Sequence, residues 1–367
     1  MSALPFALIL LAASPPGPAP DLSADRVAAV VAPYLEAHPY AAVTVGVSTP
    51  AGRAVYGFGS VKAAEEPVVA PDGRTIYELG SITKAFTGLT LARMIDAGVV
   101  SEDDLAADRL PPDLAPPVWT DEEGVPRPIT LRQLATHTSG LPRLPTGLGL
   151  YALLVGDAGD PYAGFDRPLL GLTMRKMAPK EPGRFAYSNL GVGLLGHALA
   201  QVDCGDASAE STLLRNRLTG PLKLKDVAFD LSEEQTTRFP QTYRLGGVAT
   251  TPWTFATIRA CGGLHGTADD LLTLSDACLG RGPIDLSEAF RTAAEPREPA
   301  GNSRIGLCWL TSELPTGRMV WHNGGTYGSA SFLGLLPDRG IAVVVLSNCG
   351  ASVDPLATAL LKGADAP

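Results

Sequence analysis

Near its start the chain repeats apolar residues at helical spacing. Over residues 21–38, Val27, Val30, Val31, Tyr34 and Leu35 fall on one face. That spacing predicts an amphipathic helix with those five side chains facing inward. The pattern then changes. Residues 42–48 and 53–58 read as two strands, with Pro50-Ala51-Gly52 as the turn between them. Phe86, Leu89, Leu91 and Ile95 return to helical spacing, and Gly98 marks the stop. From residue 82 to about residue 251 short helices alternate with loops; the predicted helices include 131–136, 169–177, 190–202 and 208–218. Residues 140–166, rich in Gly and Pro, read as a long loop, a lid over a site. The last part is strand-like at 305–310, 318–322, 331–336 and 341–346, and residues 353–362 close it as a helix. Strands at both ends with helices between them suggest a sheet built from both termini. Spacing alone does not establish that sheet.

Composition narrows the class. Hydrophobic residues make up 45% and charged residues 18% of the 367, enough for a large core. A net charge of −9, with no basic cluster, argues against nucleic acid or an anionic membrane as the main partner. Residues 4–13 form an apolar run too short to span a bilayer, followed by a Pro-rich stretch to Pro20. Residues 1–20 are therefore expected to be a secretory signal and linker, although no Lys or Arg precedes the run. On that reading the protein is exported, secreted or periplasmic. Without it the location is cytoplasmic. No other segment is long and apolar enough to span a membrane. The five cysteines are odd in number and contain no C-x-x-C; Cys308 and Cys349 lie in apolar runs and are expected to be buried. The five histidines show no zinc spacing and no nucleotide fingerprint follows a strand, so neither metal nor cofactor is expected.

Three short constellations carry chemistry. In Ser81-Ile82-Thr83-Lys84 the lysine stands three residues after the serine at the start of a helical pattern. Residues three apart share a helix face, so the Lys84 amine can reach the Ser81 hydroxyl. A serine becomes a nucleophile when a base takes its proton. About one S-x-x-K arises by chance in a chain this long, and a helix-capping serine is the bland alternative. Tyr187-Ser188-Asn189 follows, at the start of another apolar run. A phenol beside an ammonium can shuttle protons, and an amide can donate to a substrate carbonyl. Last comes His322-Asn323-Gly324-Gly325. Paired glycines let a strand edge approach a ligand, leaving N–H groups to hold an oxyanion. His322 is expected to supply a cation or a donor near the nucleophile.

In that order the three motifs resemble those of the penicillin-recognising serine hydrolases: class C β-lactamases, serine DD-peptidases, and related esterases and D-amino-acid peptidases. Two further stretches are similar to the same group: residues 134–142, with His137 in H-T-S-G-L-P, and Gly262-Gly263-Leu264 before a helix. The resemblance covers about residues 25–363. It implies an α+β fold of the β-lactamase/transpeptidase type. An antiparallel sheet from both chain ends is flanked by N- and C-terminal helices, with a mostly helical insertion. Residues 21–363 are then one catalytic unit, an α/β lobe of about 21–80 and 252–363 and a helical lobe of about 81–251. The resemblance also implies roles. Ser81 is the nucleophile, Lys84 its base or the charge beside Tyr187, and Tyr187 the proton carrier. Asn189, His322, Gly324 and Gly325 bind substrate, the N–H groups of Ser81 and Gly325 forming the oxyanion hole. His137 and His265 are expected to serve structure.

Two positions depart from that pattern. Lactam and D-alanyl-peptide enzymes carry hydroxyl residues around the last motif's glycine, which bind the substrate carboxylate. Here those positions are Asn323 and Gly325, and Thr326, one residue later, falls on the other face of a strand. This favours an ester, amide or peptide substrate without that carboxylate. The leading expectation is a hydrolase acting on a small-molecule or peptide amide or ester. An acyltransferase or peptide cyclase of the same fold is the alternative, and a non-catalytic sensor is the alternative of another class. Oligomeric state is not legible.

Overall fold

Ser23 caps the first helix, α1 (Ala24–Ala37), by accepting the Arg26 N–H at 3.4 Å. Val27, Val31 and Tyr34 are buried, while Val30 and Leu35 pack at the rim. The structure, a computed structural model, describes residues 17–62, 69–157, 159–177, 180 and 182–363. The apolar run at residues 4–13 lies outside them.

Strands β1 (Ala42–Thr49) and β2 (Gly52–Gly59) form a hairpin. After α2 (Ile82–Asp96), α3 (Asn189–Cys204), α4 (Ala268–Cys278) and α5 (Ser287–Ala294), the chain returns to the sheet. It adds β3 (Glu298–Ala300), β4 (Ser303–Ile305), β5 (Leu310–Leu314), β6 (Gly317–Gly325), β7 (Ala330–Leu336) and β8 (Ile341–Ser347). The order is β2-β1-β8-β7-β6-β5-β4-β3, and every pairing is antiparallel. The two ends of the chain therefore meet at β1 and β8, with Val43 opposite Ser347 and Val47 opposite Val343.

Alternation along the strands builds two cores. Val43, Val45, Phe332, Val343 and Val345 face α1 and the last helix, α6 (Asp354–Lys362). Val320, Leu333, Leu335, Val344 and Leu346 face the opposite way, towards α2 and α4. Strands β7 and β8 are buried along their whole length, which is why they read as continuous apolar runs. The fold is of the β-lactamase/transpeptidase type, with mixed helices around a large antiparallel sheet.

Three expectations change. The strand expected at 305–310 is two strands, β4 and β5, because Cys308 between them takes a left-handed conformation (φ 61°). The stretch 140–166 contains a helix, Leu148–Leu154, that exposes Leu150, Leu153 and Leu154. The helix expected at 208–218 is a short α-helix, Glu210–Leu214, continued as a π-helical turn, Arg215–Thr219. Cys308 and Cys349 are both buried thiols, as expected.

Candidate active site

Ser81 precedes α2 and its hydroxyl makes no capping bond to that helix. The bland reading of this serine, a helix cap, is thereby excluded. Its Oγ instead accepts from Lys84 Nζ at 3.0 Å. Lys84 is fully buried, and its Nζ also donates to the Cys261 carbonyl at 2.5 Å. That carbonyl lies 177 residues away, on the short 3₁₀ turn Arg259–Cys261. The turn is pressed against α3 at two glycines. A Cβ on Gly193 would lie 2.3 Å from the Ile258 Cβ, and one on Gly196 would lie 2.2 Å from the Ala260 Cβ. Ile258 enters the turn with a left-handed φ of 49°, a strained conformation for a β-branched residue.

Tyr187 stands two residues before α3 with Lys84 Nζ 4.8 Å from its ring centroid. Arg143 lies 5.0 Å from the same centroid. The His137 ring also packs on Tyr187, centroid to centroid 4.4 Å. His137 is buried, and its Nδ1 accepts the Ser188 N–H at 3.1 Å, which holds the turn that carries the tyrosine. Desolvation and the charge of Lys84 push the His137 pKa well below the usual imidazole value. His265 lies elsewhere, buried against Phe239, its pKa lowered to about 4 mainly by burial.

Asn189 opens α3. Its Nδ2 donates to the Tyr162 hydroxyl at 2.9 Å, and its Oδ1 is buried without a partner. The amide expected to donate to a substrate is thus bonded to a tyrosine of the 140–166 stretch.

The end of β6 closes the other side. A Cβ on Gly324 would lie 2.1 Å from the Leu79 carbonyl oxygen and 2.9 Å from the Ser81 nitrogen. Gly80 has φ +50°, and a Cβ there would lie 2.6 Å from the Gly325 nitrogen. Only glycines permit this backbone-to-backbone approach. It brings the Ser81 turn against the N–H of Gly325. Alternation sends Asn323 to the opposite face, where its Nδ2 donates to Asp354 of α6 at 2.6 Å. Thr326 gives its hydroxyl to Glu78 at 2.9 Å.

His322 corrects an expectation. It is buried, and desolvation, then the charge of Lys84, lowers its pKa to about 3. It is neutral at physiological pH and supplies no cation. Its Nδ1 lies 2.6 Å from the Asn323 carbonyl oxygen. A carbonyl can only accept, so Nδ1 carries the proton and Nε2 is a lone-pair acceptor. That Nε2 is buried without a partner. His322 is therefore neither the cation nor the donor expected.

The structure brings Ser81, Lys84, Tyr187, Gly324 and Gly325 to one place. Four contributors escaped the reading of the sequence: Arg143, Tyr162, Glu78 and the Cys261 carbonyl. Arg143 sits directly after the H-T-S-G-L-P stretch and Glu78 three residues before Ser81, so proximity to motifs was the one available signal.

Comparison with known proteins gives the family to which a chain with this fold and site belongs. The model of the Beta-lactamase family matches residues 27–365. The chain belongs to the Beta-lactamase family and is a serine hydrolase of that family. It is 26% identical over 281 residues to a D-alanyl-D-alanine-carboxypeptidase/endopeptidase, AmpH, of Escherichia coli (strain K12), covering 72% of this chain and 69% of that one. Among solved structures, a class C β-lactamase from Rhodobacter sphaeroides superposes with a TM-score of 0.75 at 24% identity, over 92% of this chain and 97% of that one. A D-alanine carboxypeptidase, AmpC, from Burkholderia cenocepacia superposes at 0.74 and 21% identity, again over 92% and 97%.

Proposed function

We propose that this protein cleaves an ester or amide through an acyl-Ser81 intermediate. The observation that carries the reading is the Ser81 hydroxyl, unused in capping and 3.0 Å from a fully buried Lys84 amine. Ser81 Oγ attacks the substrate carbonyl carbon and its proton passes to the Lys84–Tyr187 pair. The N–H groups of Ser81 and Gly325 hold the developing oxyanion. The proton then passes to the leaving group. Water attacks the acyl-enzyme in the second half; the same pair takes its proton and returns it to Ser81 Oγ as the acyl–Oγ bond breaks and the acid leaves. Lys84 and Arg143 both pack on the Tyr187 ring, which holds the phenol beside the amine that shares the proton. Asn189 Oδ1 and His322 Nε2 are buried acceptors without a partner, and on this reading they orient a substrate N–H or O–H.

The names of the relatives point to D-alanyl peptides and lactams. Against these, none of Asn323, Gly325 and Thr326 offers a free hydroxyl to a carboxylate beside the scissile bond. Asn323 is turned to Asp354 and Thr326 to Glu78, and Gly325 has no side chain. The preferred substrate on this reading is an ester or amide without that carboxylate. Export follows from the apolar run at residues 4–13, and mapping the mature N-terminus tests it.

Intact-protein mass spectrometry with a fluorophosphonate is expected to show one adduct, absent in Ser81→Ala. An adduct that survives the substitution removes the proposal. Kinetics on two substrates then test the preference, kcat/KM being expected to be higher for p-nitrophenyl butyrate than for benzylpenicillin. The reverse order returns the protein to the lactam and D-alanyl group.

A further inference from the structure

Glu78 is a buried carboxylate three residues before Ser81 that the proposed chemistry does not use. It pairs opposite His265 in a two-residue ladder, Tyr77–Glu78 with His265–Gly266, but the His265 ring turns away onto Phe239. Three donors converge on the carboxylate from two distant segments. The Trp253 N–H reaches Oε1 at 2.8 Å. The hydroxyls of Thr326 and Ser329 both reach Oε2 at 2.9 Å. Thr326 and Ser329 close the turn between β6 and β7, directly after the glycines that abut Ser81. The neighbouring residue adds a parallel tie, since the Leu79 carbonyl accepts from the Ser331 hydroxyl at 2.7 Å.

We propose that Glu78 is a positioning residue, a carboxylate strap that holds the N–H of Gly325 in register with Ser81 and so sets the rate of acyl transfer. This rests on the acyl-Ser81 reading for its catalytic part only. The hydroxyl bookkeeping shows why a charged carboxylate is required. Thr326 Oγ1 already accepts the N–H groups of Gly328 at 3.2 Å and Ser329 at 3.1 Å. Both of its lone pairs are occupied, so its proton must go to an acceptor. A protonated Glu78, or a glutamine, presents a donor there or to the Trp253 N–H. For glutamine either arrangement sets donor against donor; a protonated Glu78 loses the charge that strengthens all three bonds, and its proton turns the Ser329 hydroxyl from donor to acceptor, so the turn is held less firmly. Protonation lies within working range. Burial, with Asp160 as the like-charged neighbour, raises the Glu78 pKa to about 6 against the three hydrogen bonds that lower it. Asp160 itself accepts from the Thr254 N–H at 2.7 Å and the Thr254 hydroxyl at 2.6 Å, so both carboxylates anchor the 253–254 segment.

The strap predicts a specific acid limb. In wild type, the rate of p-nitrophenyl butyrate turnover is expected to fall below about pH 6 while KM changes little. Glu78→Gln is expected to lower kcat about tenfold or more at pH 8, the scale of a weakened oxyanion contact. Its profile should lose the limb near pH 6. Glu78→Asp keeps the charge and is expected to keep the limb at reduced rate. Hydrogen exchange of the peptide covering residues 324–331, followed by mass spectrometry, gives a readout independent of catalysis. It should speed up in Glu78→Gln at pH 8, and in wild type, corrected for intrinsic exchange, on acidification through pH 6. Exchange that is unchanged in both cases overturns the strap, whatever the activity. An acid limb that persists unaltered in Glu78→Gln overturns its role in the rate. Failure of Ser81 to label in wild type would instead strike the acyl-enzyme reading, and the exchange experiment would still judge the strap.

Discussion

At the scale of single residues, burial decides what each group contributes. His322 is the clearest case. With a folded pKa of about 3 against about 6.5 in an unfolded chain, its neutral form stabilises the fold fully above pH 6.5. That contribution is lost as pH falls towards 3, because the unfolded chain binds the proton first. Relative to His322→Gln, wild type should therefore lose about 1.4 kcal/mol per pH unit through that window. Denaturant titrations of both proteins from pH 7 to 4 measure it, and a constant difference would show that His322 is not buried neutral. The same reasoning predicts that His322→Gln leaves any alkaline limb of kcat/KM in place. His322→Lys should lose stability instead, since it buries an unpaired ammonium. Lys84 and Tyr187, in contact with one another, are expected to act as a unit. Lys84→Ala and Tyr187→Phe should each lower kcat about 10²-fold or more, and the double variant should be little worse than the worse single. Fully additive losses would mean two independent roles.

At the scale of elements, glycines set how closely backbones meet at the site. Gly324→Ala places a methyl 2.1 Å from the Leu79 oxygen, so β6 must move away from Ser81. The expected result is a loss of kcat about 10²-fold, with fluorophosphonate labelling of Ser81 slowed alongside. Normal labelling in a folded Gly324→Ala protein would show that this approach is dispensable. Gly196→Ala acts on another contact, α3 against the turn that offers the Cys261 carbonyl to Lys84. Overpacking there should cost about 1–3 kcal/mol and lower kcat by displacing that acceptor. Thermal denaturation with steady-state kinetics separates the two effects.

At the scale of the whole molecule, the sheet joins the two ends of the chain. β1 pairs with β8, and α1 and α6 share one core on the face away from Ser81. Asn323, one residue before the paired glycines, is tied to Asp354 on that same terminal helix. Truncation after Val353 removes Leu356, Ala357, Leu360 and Leu361 from this core. The loss of three buried leucines, about 2–5 kcal/mol each on deletion, exceeds the margin of a typical domain. The truncated chain should fail to fold cooperatively, and a sharp calorimetric transition in it would contradict this account.

Local patterns carried much of this into the primary structure. The period of α1, the alternation of β1 and β2, the buried runs of β7 and β8 and the order of the three motifs all depend on residues near one another in the chain. So did the placement of Ser81 one helical turn before Lys84. Tertiary structure alone decided the rest. The split of 305–310 turns on one left-handed residue, Cys308, which propensity does not forecast. The Cys261 carbonyl at Lys84, Tyr162 at Asn189 and the Thr326 and Ser329 hydroxyls at Glu78 come from 177, 27, 248 and 251 residues away. The charge of His322 was misjudged from sequence for the same reason. A side chain's ionisation follows from the water and charges that folding removes or brings near, and neither is written in its neighbours along the chain.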